Sequence, residues 1–470
     1  MRIAVIGGSA GGLSAALLLA RAGHAVTVLE ADHLEPAVDV EAAAAAGFRA
    51  AAPQIVQPHV LLTTFQEILR DRLPDVDAEL RSVGAVEATL QSQMPPTLAD
   101  RSPAPGDERL VLLMTRRQTV DWVLGRAATG ESGVDLRYGV RAEGLLADPG
   151  DPPRVRGVRT DHGDVAADVV VDAGGRRSPL DRWLAAVGAR PTAVSTAECG
   201  LAYFGRQYRL RGGARLPAPA ATRVVAGLDE LTVGIWGGDN ATMQLVVAPL
   251  AADRRFAPAR REAVFTAVLR TIPLYASWLD AMDPITDVAV MGGLHNTLRR
   301  LVLDGRPVVL GLHAVGDAVC TTNPTFGRGL SMTLHGAADL VDVLAAHPDD
   351  PGAQALAMDR AVAEHIAPWF ADQAVSDAAR LAMLRHTVLG APPPPAPDPA
   401  RVTFGQIRQA GQVDPVAFRA VWRLMGMIGH PSDAYDDPDL AARVRAALAA
   451  GVPAAVRQPT RAQLEAALAA

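Results

Sequence analysis

Two glycine-rich segments of the chain combine small residues with a nearby acidic side chain, a pattern that suits contacts to phosphate and ribose groups. The first, Gly7–Gly12, lies between a short apolar run and an Ala- and Leu-rich stretch, and Glu30 ends the next apolar run. Glycines let the backbone approach a pyrophosphate, a helix start attracts its negative charge, and an acidic residue at this spacing binds ribose hydroxyls. We therefore predict that this segment binds the ADP half of a dinucleotide. The residues predicted to do so are Gly7, Ser9, Ala10, Gly11, Gly12 and Glu30.

The second glycine-rich segment lies about three hundred residues further along the chain and begins with Gly316 and Asp317. Asp317 can accept hydrogen bonds from ribityl hydroxyls. A helix that starts near Gly327 would direct backbone N–H groups at the pyrimidine end of a flavin. Together, the two segments predict that one chain binds FAD. The residues predicted to bind it in the second segment are Gly316, Asp317, Pro324, Gly327, Arg328, Gly329 and Leu330.

A third loop, Asp172–Pro179, follows an apolar run and would pass near the cofactor, with Gly175 as its predicted contact. On its own, this loop is equally typical of an ordinary strand-to-helix turn.

In the first segment, Ser9 stands where the dinucleotide fingerprint has its middle glycine, and a serine still leaves the backbone close to the pyrophosphate. Glu30 argues against a 2′-phosphate on the ribose.

The composition is that of a globular enzyme and excludes several other classes of protein. Of the 470 residues, 49% are hydrophobic and 20% are charged, which rules out wholesale disorder. A net charge of −6 without a basic run predicts no nucleic-acid partner. Cys199 and Cys320 form neither a metal-ligand spacing nor a disulfide framework, so we predict no metal site and a cytoplasmic location. The apolar stretch Leu13–Ala20 is too short for stable membrane insertion.

Hydrophobic periodicity predicts an α/β fold with a discontinuous Rossmann-like FAD-binding domain. Residues 3–6, 10–22 and 25–29 indicate a strand, a helix and a strand. Residues 155–160 and 165–171 indicate two strands paired around a tight turn. The predicted domains are the FAD-binding domain in two parts at residues 1–190 and 291–390, a β-sheet substrate domain at 191–290, and a Pro-rich linker with a helical C-terminal region at 391–470.

These motifs resemble those of the group A flavoprotein monooxygenases, relatives of the aromatic hydroxylases, whose three flavin motifs occur in the same order across residues 1–345. Two further segments, Pro53–Leu62 and Pro368–Arg380, resemble those of a bacterial branch that includes polyether epoxidases. The resemblance implies that FAD lies between two domains, under a sheet that forms the substrate cavity. It also implies that Arg117 contacts the ribityl-phosphate region of FAD.

The activity implied by the resemblance is insertion of one atom of O2 into a hydrophobic organic substrate, by hydroxylation or epoxidation through a flavin C4a-hydroperoxide, in secondary metabolism. The implied reductant is NADPH or NADH, or reduced flavin from a separate flavin reductase, and the chain would act as a monomer or homodimer. One departure bears on the reductant. Gly174 replaces the aspartate that the family's middle motif links to FAD and pyridine-nucleotide binding, and Ser331 stands where Asn or Thr is usual.

Three other functions are compatible with flavin motifs of this kind. A flavin halogenase of this fold uses a lysine and a Trp-x-Trp-x-Ile-Pro signature, and the sequence contains neither. An alkene reductase of the prenyl-reductase type would put no oxygen into its product, and a non-catalytic flavin-binding protein would show no turnover. No catalytic side chain is predicted. Polar groups that could face the substrate cavity are His59, Tyr203, Arg206, Tyr208, Trp236 and His295.

Overall fold

The computed structural model describes residues 1–35, 37–46, 49, 52–216, 223–396, 398, 401–454 and 456–470. Its strands are β1 (Arg2–Ile6), β2 (Ala25–Glu30), β3 (Val86–Thr89), β4 (Val111–Met114), β5 (Val134–Tyr138), β6 (Ala142–Asp148), β7 (Arg154–Thr160), β8 (Gly163–Ala166), β9 (Val169–Asp172), β10 (Ala193–Glu198), β11 (Tyr203–Leu210), β12 (Arg223–Gly227), β13 (Leu231–Gly237), β14 (Thr242–Pro249), β15 (Met282–Pro284), β16 (Ala289–Met291), β17 (His295–Arg300), β18 (Val302–Leu303), β19 (Arg306–Pro307), β20 (Leu312–Ala314) and β21 (Cys320–Thr321).

The α-helices are α1 (Ala10–Arg21), α2 (Val40–Ala45), α3 (Thr63–Arg72), α4 (Pro74–Ser82), α5 (Leu90–Gln93), α6 (Arg117–Gly130), α7 (Leu180–Ala186), α8 (Glu262–Arg270), α9 (Pro273–Leu279), α10 (Gly329–Ala346), α11 (Pro351–Ala361), α12 (Ala367–Leu389), α13 (Phe404–Ala410), α14 (Pro415–Gly426), α15 (Ser432–Tyr435), α16 (Pro438–Ala450) and α17 (Arg461–Leu468). A π-helical turn, Val362–Ile366, joins α11 to α12.

Five of the described strands form a parallel sheet in the order β20-β9-β1-β2-β5. Val5, Val28 and Val171 on its central strands are fully buried, as expected for β-branched residues in a sheet that is covered on both faces. Helices α1, α6 and α10 share one core with this sheet, and α7 with the hairpin β6–β7 shares another. The predicted Rossmann-like opening of the chain is therefore confirmed.

A mainly antiparallel sheet lies beside it, with the described strands ordered β12-β13-β14-β11-β15 and β16 also paired with β11. Side chains alternate between its two faces, as strand geometry requires. Ile235 and Leu245 pack in the same core as residues of α8, α9 and α17. Their sequence neighbours Trp236 and Val246 lie on the opposite face, where they line a cleft toward the parallel sheet.

The predicted pairing of residues 155–160 with 165–171 is partly wrong, because the second segment divides into two strands. Its first half, β8, pairs with β7, whereas its second half, β9, pairs with β1 and β20 in the parallel sheet. The change occurs at Asp168, whose backbone N–H donates to the carbonyl of Arg2 and whose carboxylate accepts from the Arg2 backbone N–H at 2.8 Å. Residues 165–171 thus contain the end of a hairpin strand and the start of a buried parallel strand, separated by Asp168.

The C-terminal helices form a third layer, and the segment that follows α12 toward them includes residues 391–396. Trp369 of α12, Trp422 of α14 and Leu112 of β4 lie in one core, so these helices pack against both halves of the chain. Helix α17 packs separately, on α8, and its Leu464 belongs to the core beneath the antiparallel sheet. Across the described ranges, no helix has both the length and the apolar character that a bilayer span needs. The domain boundaries stay predictions.

Candidate functional site

A cleft of about 610 Å³ lies between the antiparallel sheet and the loops at the carboxyl ends of the parallel strands. Loops that follow β1, β9 and β20 meet there because parallel strands end at one edge of their sheet. The two glycine-rich segments therefore share one cavity. Predicted FAD-binding residues that line it are Gly7, Ser9, Gly11, Glu30, Arg117, Gly175, Gly316, Asp317, Pro324, Gly327, Gly329 and Leu330.

Helix α1 begins at the cleft without a side-chain cap. The hydroxyl of Ser9 donates to Asp121 at 2.7 Å and makes no bond to the first N–H groups of α1. Those N–H groups are available to phosphate oxygens, at the positive end of the helix dipole. Gly7 forms the preceding turn with a φ of +103°, and a Cβ there would lie 2.6 Å from the carbonyl oxygen of Ala173. This turn therefore requires glycine.

Glu30 lies at the end of β2, where the ribose of a dinucleotide is expected. Its carboxylate accepts hydrogen bonds from the backbone N–H of Gly8 at 2.7 Å and of Asp32 at 2.8 Å. The buried guanidinium of Arg49 pairs with Glu30 at 2.9 Å and with Asp121 at 3.1 Å. No motif marks Arg49 in the sequence, so this cation beside the turn predicted to bind ADP was not itself predicted.

Arg117 lies in the first turn of α6 and joins that helix to the dinucleotide turn. Its Nε donates to Asp121 at 2.7 Å, and a terminal nitrogen donates to the Ser9 hydroxyl at 2.8 Å. The side chain is buried, so it is not a surface arginine. It places a positive charge beside the turn that would hold the pyrophosphate, which suits the role implied by the family resemblance.

Asp317 is the acidic group on the flavin side of the cleft. Burial raises the pKa of its carboxyl group, which Arg117 and Arg176 partly counteract. Within the described part of the chain, no protein group donates a hydrogen bond to this carboxylate. Helix α10 begins nearby, and Arg328, the residue before it, provides no side-chain cap. The Asp317 carboxylate therefore lacks a hydrogen-bond donor among the described residues, and it lies between the uncapped starts of α1 and α10. The hydroxyls and phosphates of a flavin dinucleotide would supply hydrogen-bond partners to all three.

The opposite wall of the cleft is largely apolar and comes from the antiparallel sheet and the segment after it. Its side chains include Trp236, Val246, Ala248, Met291 and Leu294. An apolar wall that faces the flavin-binding loops can position a hydrophobic molecule and exclude water.

Three of the six polar groups predicted to face this cavity do so: His59, Tyr203 and Trp236. Burial and the charge of Arg117 lower the pKa of His59 to about 4, so its imidazole is neutral. Its Nδ1 lies 2.8 Å from the carbonyl oxygen of Gln57, which can only accept. The Nδ1 atom therefore carries the proton, and Nε2 is a hydrogen-bond acceptor.

Arg206, Tyr208 and His295 lie outside the cleft. Arg206 points to the other face of the sheet, where it pairs with Glu262 at 2.5 Å. Tyr208 lies in the core beneath that face, and His295 is exposed at the start of β17. Alternation along β11 explains the first two, because residues 206 and 208 point opposite to Tyr203.

Three residues predicted to bind FAD also do not line the cleft: Ala10, Gly12 and Arg328. Ala10 is buried within the first turn of α1. Gly12 faces β1, where a Cβ would lie 1.7 Å from the carbonyl oxygen of Gly7, so it serves the close approach of helix and strand. The guanidinium of Arg328 points away from the cleft, toward Asp372 at 2.5 Å and the carbonyl of Leu424 at 3.2 Å.

A buried polar network behind the cleft was not predicted from the sequence. Tyr203 donates to the side chain of Asn323, which in turn donates to Asp377 at 2.9 Å. Asn296 donates to the same carboxylate at 2.8 Å. Burial raises the pKa of Asp377 to about 6, although these bonds favour its ionised form. The network ties the loop before α10 to the sheet and to α12.

A separate cluster on α10 brings together His335, Asp339 and His365. The Nδ1 atoms of both histidines lie within hydrogen-bond distance of Asp339, at 3.2 and 3.0 Å. Possible ligand atoms of the three residues lie within 4.8 Å of one another, a grouping that the sequence did not predict. It arises because the π-helical turn Val362–Ile366 places His365 beside α10.

Replacement of Asp317 by alanine is expected to weaken FAD binding about 10- to 100-fold, since a hydrogen bond to a charged group contributes about 1.5–3 kcal/mol. The apoprotein should melt at the same temperature or higher, because the carboxylate is buried and no described residue donates a hydrogen bond to it. Fluorescence titration of apoprotein with FAD and thermal melting measure both effects. An unchanged dissociation constant, or a less stable apoprotein, would contradict the assigned role.

Comparison with known proteins shows which solved structures share this fold. No protein-family profile matches the chain. Protein Rv3254 of Mycobacterium tuberculosis is 28% identical over 435 residues, which is 88% of this chain and 86% of that protein. The solved structure of the flavin-dependent brominase Bmp2 has a TM-score of 0.63 at 15% identity and covers 96% of this chain and 99% of its own.

Two further solved structures have the same fold. PqsL, a probable FAD-dependent monooxygenase from Pseudomonas aeruginosa, has a TM-score of 0.58 at 17% identity, over 83% of this chain and 98% of its own. The anhydrotetracycline hydroxylase OxyS from Streptomyces rimosus has a TM-score of 0.55 at 16% identity, over 91% and 76%. A brominase and a hydroxylase share this architecture, so the likeness concerns the fold. The chain therefore has the α/β fold of FAD-dependent monooxygenases, as the motifs predicted.

Proposed function

We propose that the chain is an FAD-dependent monooxygenase that inserts one atom of O2 into a hydrophobic organic substrate, by hydroxylation or epoxidation, in secondary metabolism. The observation that carries the proposal is the cleft itself. One wall consists of the three flavin-binding motifs, and the facing wall is an apolar sheet surface. Such a cleft can hold a flavin against a hydrophobic substrate with little water between them.

The residues of the chain have distinct tasks in this mechanism. The N–H groups at the start of α1 and Arg117 would hold the pyrophosphate, and Asp317 would accept from the ribityl hydroxyls. The start of α10 would stabilise negative charge at the pyrimidine end of the ring. When bound and reduced, FAD supplies the electrons that activate O2.

On the substrate side, the chain orients the substrate and excludes water. Trp236 and Met291 provide contact area, and neutral His59 offers an acceptor at Nε2. No carboxylate or lysine is needed for oxygen transfer from a flavin, and the chain contains no lysine at all. We propose that the electrons come from NADPH or NADH directly, or through a separate flavin reductase, and that the protein acts as a monomer or homodimer.

Gly174 bears on the choice of reductant, and its surroundings explain the departure from the family's motif. The buried carboxylate of Asp172 accepts from the Gly174 N–H at 2.9 Å and from the Ser178 hydroxyl at 2.5 Å. A Cβ at position 174 would lie 2.9 Å from that carboxylate. Asp172 thus already provides the acceptor that organises this loop.

Substitution of Gly174 by aspartate is therefore expected to destabilise the protein, by about 1–3 kcal/mol, without faster flavin reduction by NADPH or NADH. The new carboxylate would crowd a buried one that burial already drives toward the neutral form. Gly174→Ala adds the Cβ alone and separates crowding from charge. Thermal melting and anaerobic stopped-flow reduction provide the two measurements, and a stable, faster-reducing Gly174→Asp variant would contradict the account.

The proposed function is tested with purified, FAD-loaded protein. Anaerobic addition of NADPH, then NADH, should bleach the oxidised flavin absorbance, either directly or after addition of a flavin reductase. Substrate turnover under 18O2 should then place one labelled atom in the product. A reduced product without label would instead indicate an alkene reductase. A protein that binds FAD without reduction or oxygen chemistry would be a non-catalytic flavin-binding protein.

A further inference from the structure

A second cavity, larger than the cleft, lies between the antiparallel sheet and the C-terminal helices. It has a volume of about 1430 Å³, and its walls come from β12, β13, α12, α13 and α14. Large apolar side chains dominate these walls, among them Phe404, Phe418, Trp422 and Met425. Small-molecule sites usually have volumes of ~300–1,000 Å³. This cavity is larger and its walls are mostly apolar, so it suits a long apolar ligand.

Two arginines place their guanidinium groups next to each other in this cavity, which we call the arginine cavity. Arg380 belongs to α12 and Arg408 to α13. A terminal nitrogen of Arg408 lies 3.4 Å, and Cζ of Arg380 3.6 Å, from the point where a side chain on Gly227 would begin. Because residue 227 is glycine, the space beside both cations stays open.

The protein satisfies only one of these two cations, and only in part. Arg380 donates to the carbonyl oxygens of Leu228 at 2.6 Å and Leu231 at 2.9 Å, while its buried Nε has no partner. Burial lowers the pKa of Arg380 to about 10. Arg408 has no hydrogen bond or ion pair to any residue that the structure describes, and burial lowers its pKa as well.

Three acids near the two arginines are engaged with other groups. Asp372 pairs with Arg328, and Asp377 accepts from three amide side chains. Asp229 acts on Arg380 from a distance, and its carboxylate accepts from Gln458. Among the described residues, no carboxylate forms an ion pair with Arg380 or Arg408, so the two positive charges are only weakly compensated in a largely apolar space.

Two like charges that are partly removed from water destabilise a protein unless an anion joins them. Guanidinium groups bind carboxylate oxygens through paired, charge-assisted hydrogen bonds, which are about twice as strong as neutral ones. An anion of this kind, attached to an apolar body, would match both the arginine pair and the surrounding aromatic wall.

We propose that the arginine cavity binds a hydrophobic carboxylic acid, with its carboxylate between Arg380 and Arg408 and its apolar part along the cavity wall. Four residues, Val225, Thr232, Thr325 and Phe326, line both this cavity and the cleft. Thr232 also accepts from Arg380 at 3.3 Å. A long acid anchored at the arginines therefore extends toward the flavin-binding loops. Hydrophobic carboxylic acids would then be the substrate class of the monooxygenase, a step that rests on the proposed function. Binding of the acid in the arginine cavity does not rest on it.

Binding is tested on FAD-loaded protein with cis-parinaric acid, a fluorescent long-chain acid, and its methyl ester. The two probes share one apolar body and differ in the charge. The wild-type protein should bind the acid at least about tenfold more tightly than the ester. The Arg408→Met variant should lose this preference, retain its affinity for the ester, and melt without ligand at the same or a higher temperature, since an unpaired cation has been removed.

Arg401→Met is the matched control, because Arg401 also lines the arginine cavity but pairs with Asp436 at 3.4 Å. This variant should keep the preference for the acid. Equal affinity of the wild-type protein for acid and ester, absence of binding, or an acid preference that survives in Arg408→Met would overturn the proposal. Displacement of the acid by dodecyl phosphate at far lower concentration than by dodecanoate would overturn the carboxylate as the anion.

These outcomes are separable from those for the proposed function, because binding of the probe requires neither electrons nor O2. If the FAD is reduced and reoxidised in turnover but the protein shows no preference for the acid, the proposed function stands and the arginine cavity is not an acid-binding site. A protein with the acid preference but without oxygen chemistry retains the inference as a binding site.

Discussion

Replacement of Gly12 by alanine is expected to yield protein that fails to hold FAD and melts far below the wild type. A Cβ at this position would lie 1.7 Å from the carbonyl oxygen of Gly7 and 3.3 Å from Val5. The nearer atom belongs to the backbone of the dinucleotide turn, so it cannot rotate away. Helix α1 would have to move away from β1. This movement would displace the N–H groups that face the cleft, and it would disrupt the core that α1 shares with α6 and α10.

The cost of this substitution should exceed the ~1–3 kcal/mol that is typical of overpacking, because the whole helix must shift. The flavin content of purified protein and its thermal melting curve measure the effect. Gly336→Ala is the matched control: this glycine is also buried and helical, lies on α10, and has no atom within 4 Å of an added Cβ. It should be neutral or slightly stabilising. Stoichiometric FAD in Gly12→Ala would show that helix and strand are not in such close contact.

The glycine turns at the cleft could be predicted from sequence because their geometry is local. Gly7, Gly12 and Gly316 are required by backbone geometry within a few residues, and strand periodicity indicates which loops reach the same sheet edge. The boundary between β8 and β9 was missed because it depends on pairing with distant strands. Valine occurs on both sides of Asp168, so residue type does not show that one half continues a hairpin and the other enters the parallel sheet.

The groups that the sequence did not reveal depend on contacts between distant segments. Arg408 lies beside Arg380 only because α12 and α13 both reach Gly227 of β12, and Arg49 reaches Asp121 across 72 residues. The network around Asp377 likewise joins three separate parts of the chain. Residue type alone gives no sign of such partners, because arginines and aspartates are mostly exposed in proteins.

Arg328→Met is expected to destabilise the protein by about 3–5 kcal/mol. Arg328 lies in a motif that predicts contact with FAD, but its side chain forms a buried ion pair. The side chain is fully buried, stacks on Phe326 and Trp369, and pairs with Asp372. Its loss would leave the buried Asp372 with one hydrogen-bond donor among the described residues, the hydroxyl of Tyr435 at 2.6 Å. Thermal or urea denaturation of the apoprotein measures the loss.

The double variant Arg328→Met/Asp372→Asn distinguishes two roles of Arg328: contact with FAD, or stabilisation of the folded protein. A neutral amide can still accept from Tyr435 and no longer requires a counter-charge, so the double variant should recover much of the stability that the single variant loses. If Arg328 acts by fixing the flavin loop to the C-terminal helices, recovered stability should bring near wild-type FAD affinity. If its guanidinium instead contacts FAD, the double variant would fold and still bind FAD weakly. The 2.5 Å contact with Asp372, on the side away from the cleft, favours the first outcome. The C-terminal helices would then belong to the flavin site, since they hold the residue from which α10 begins.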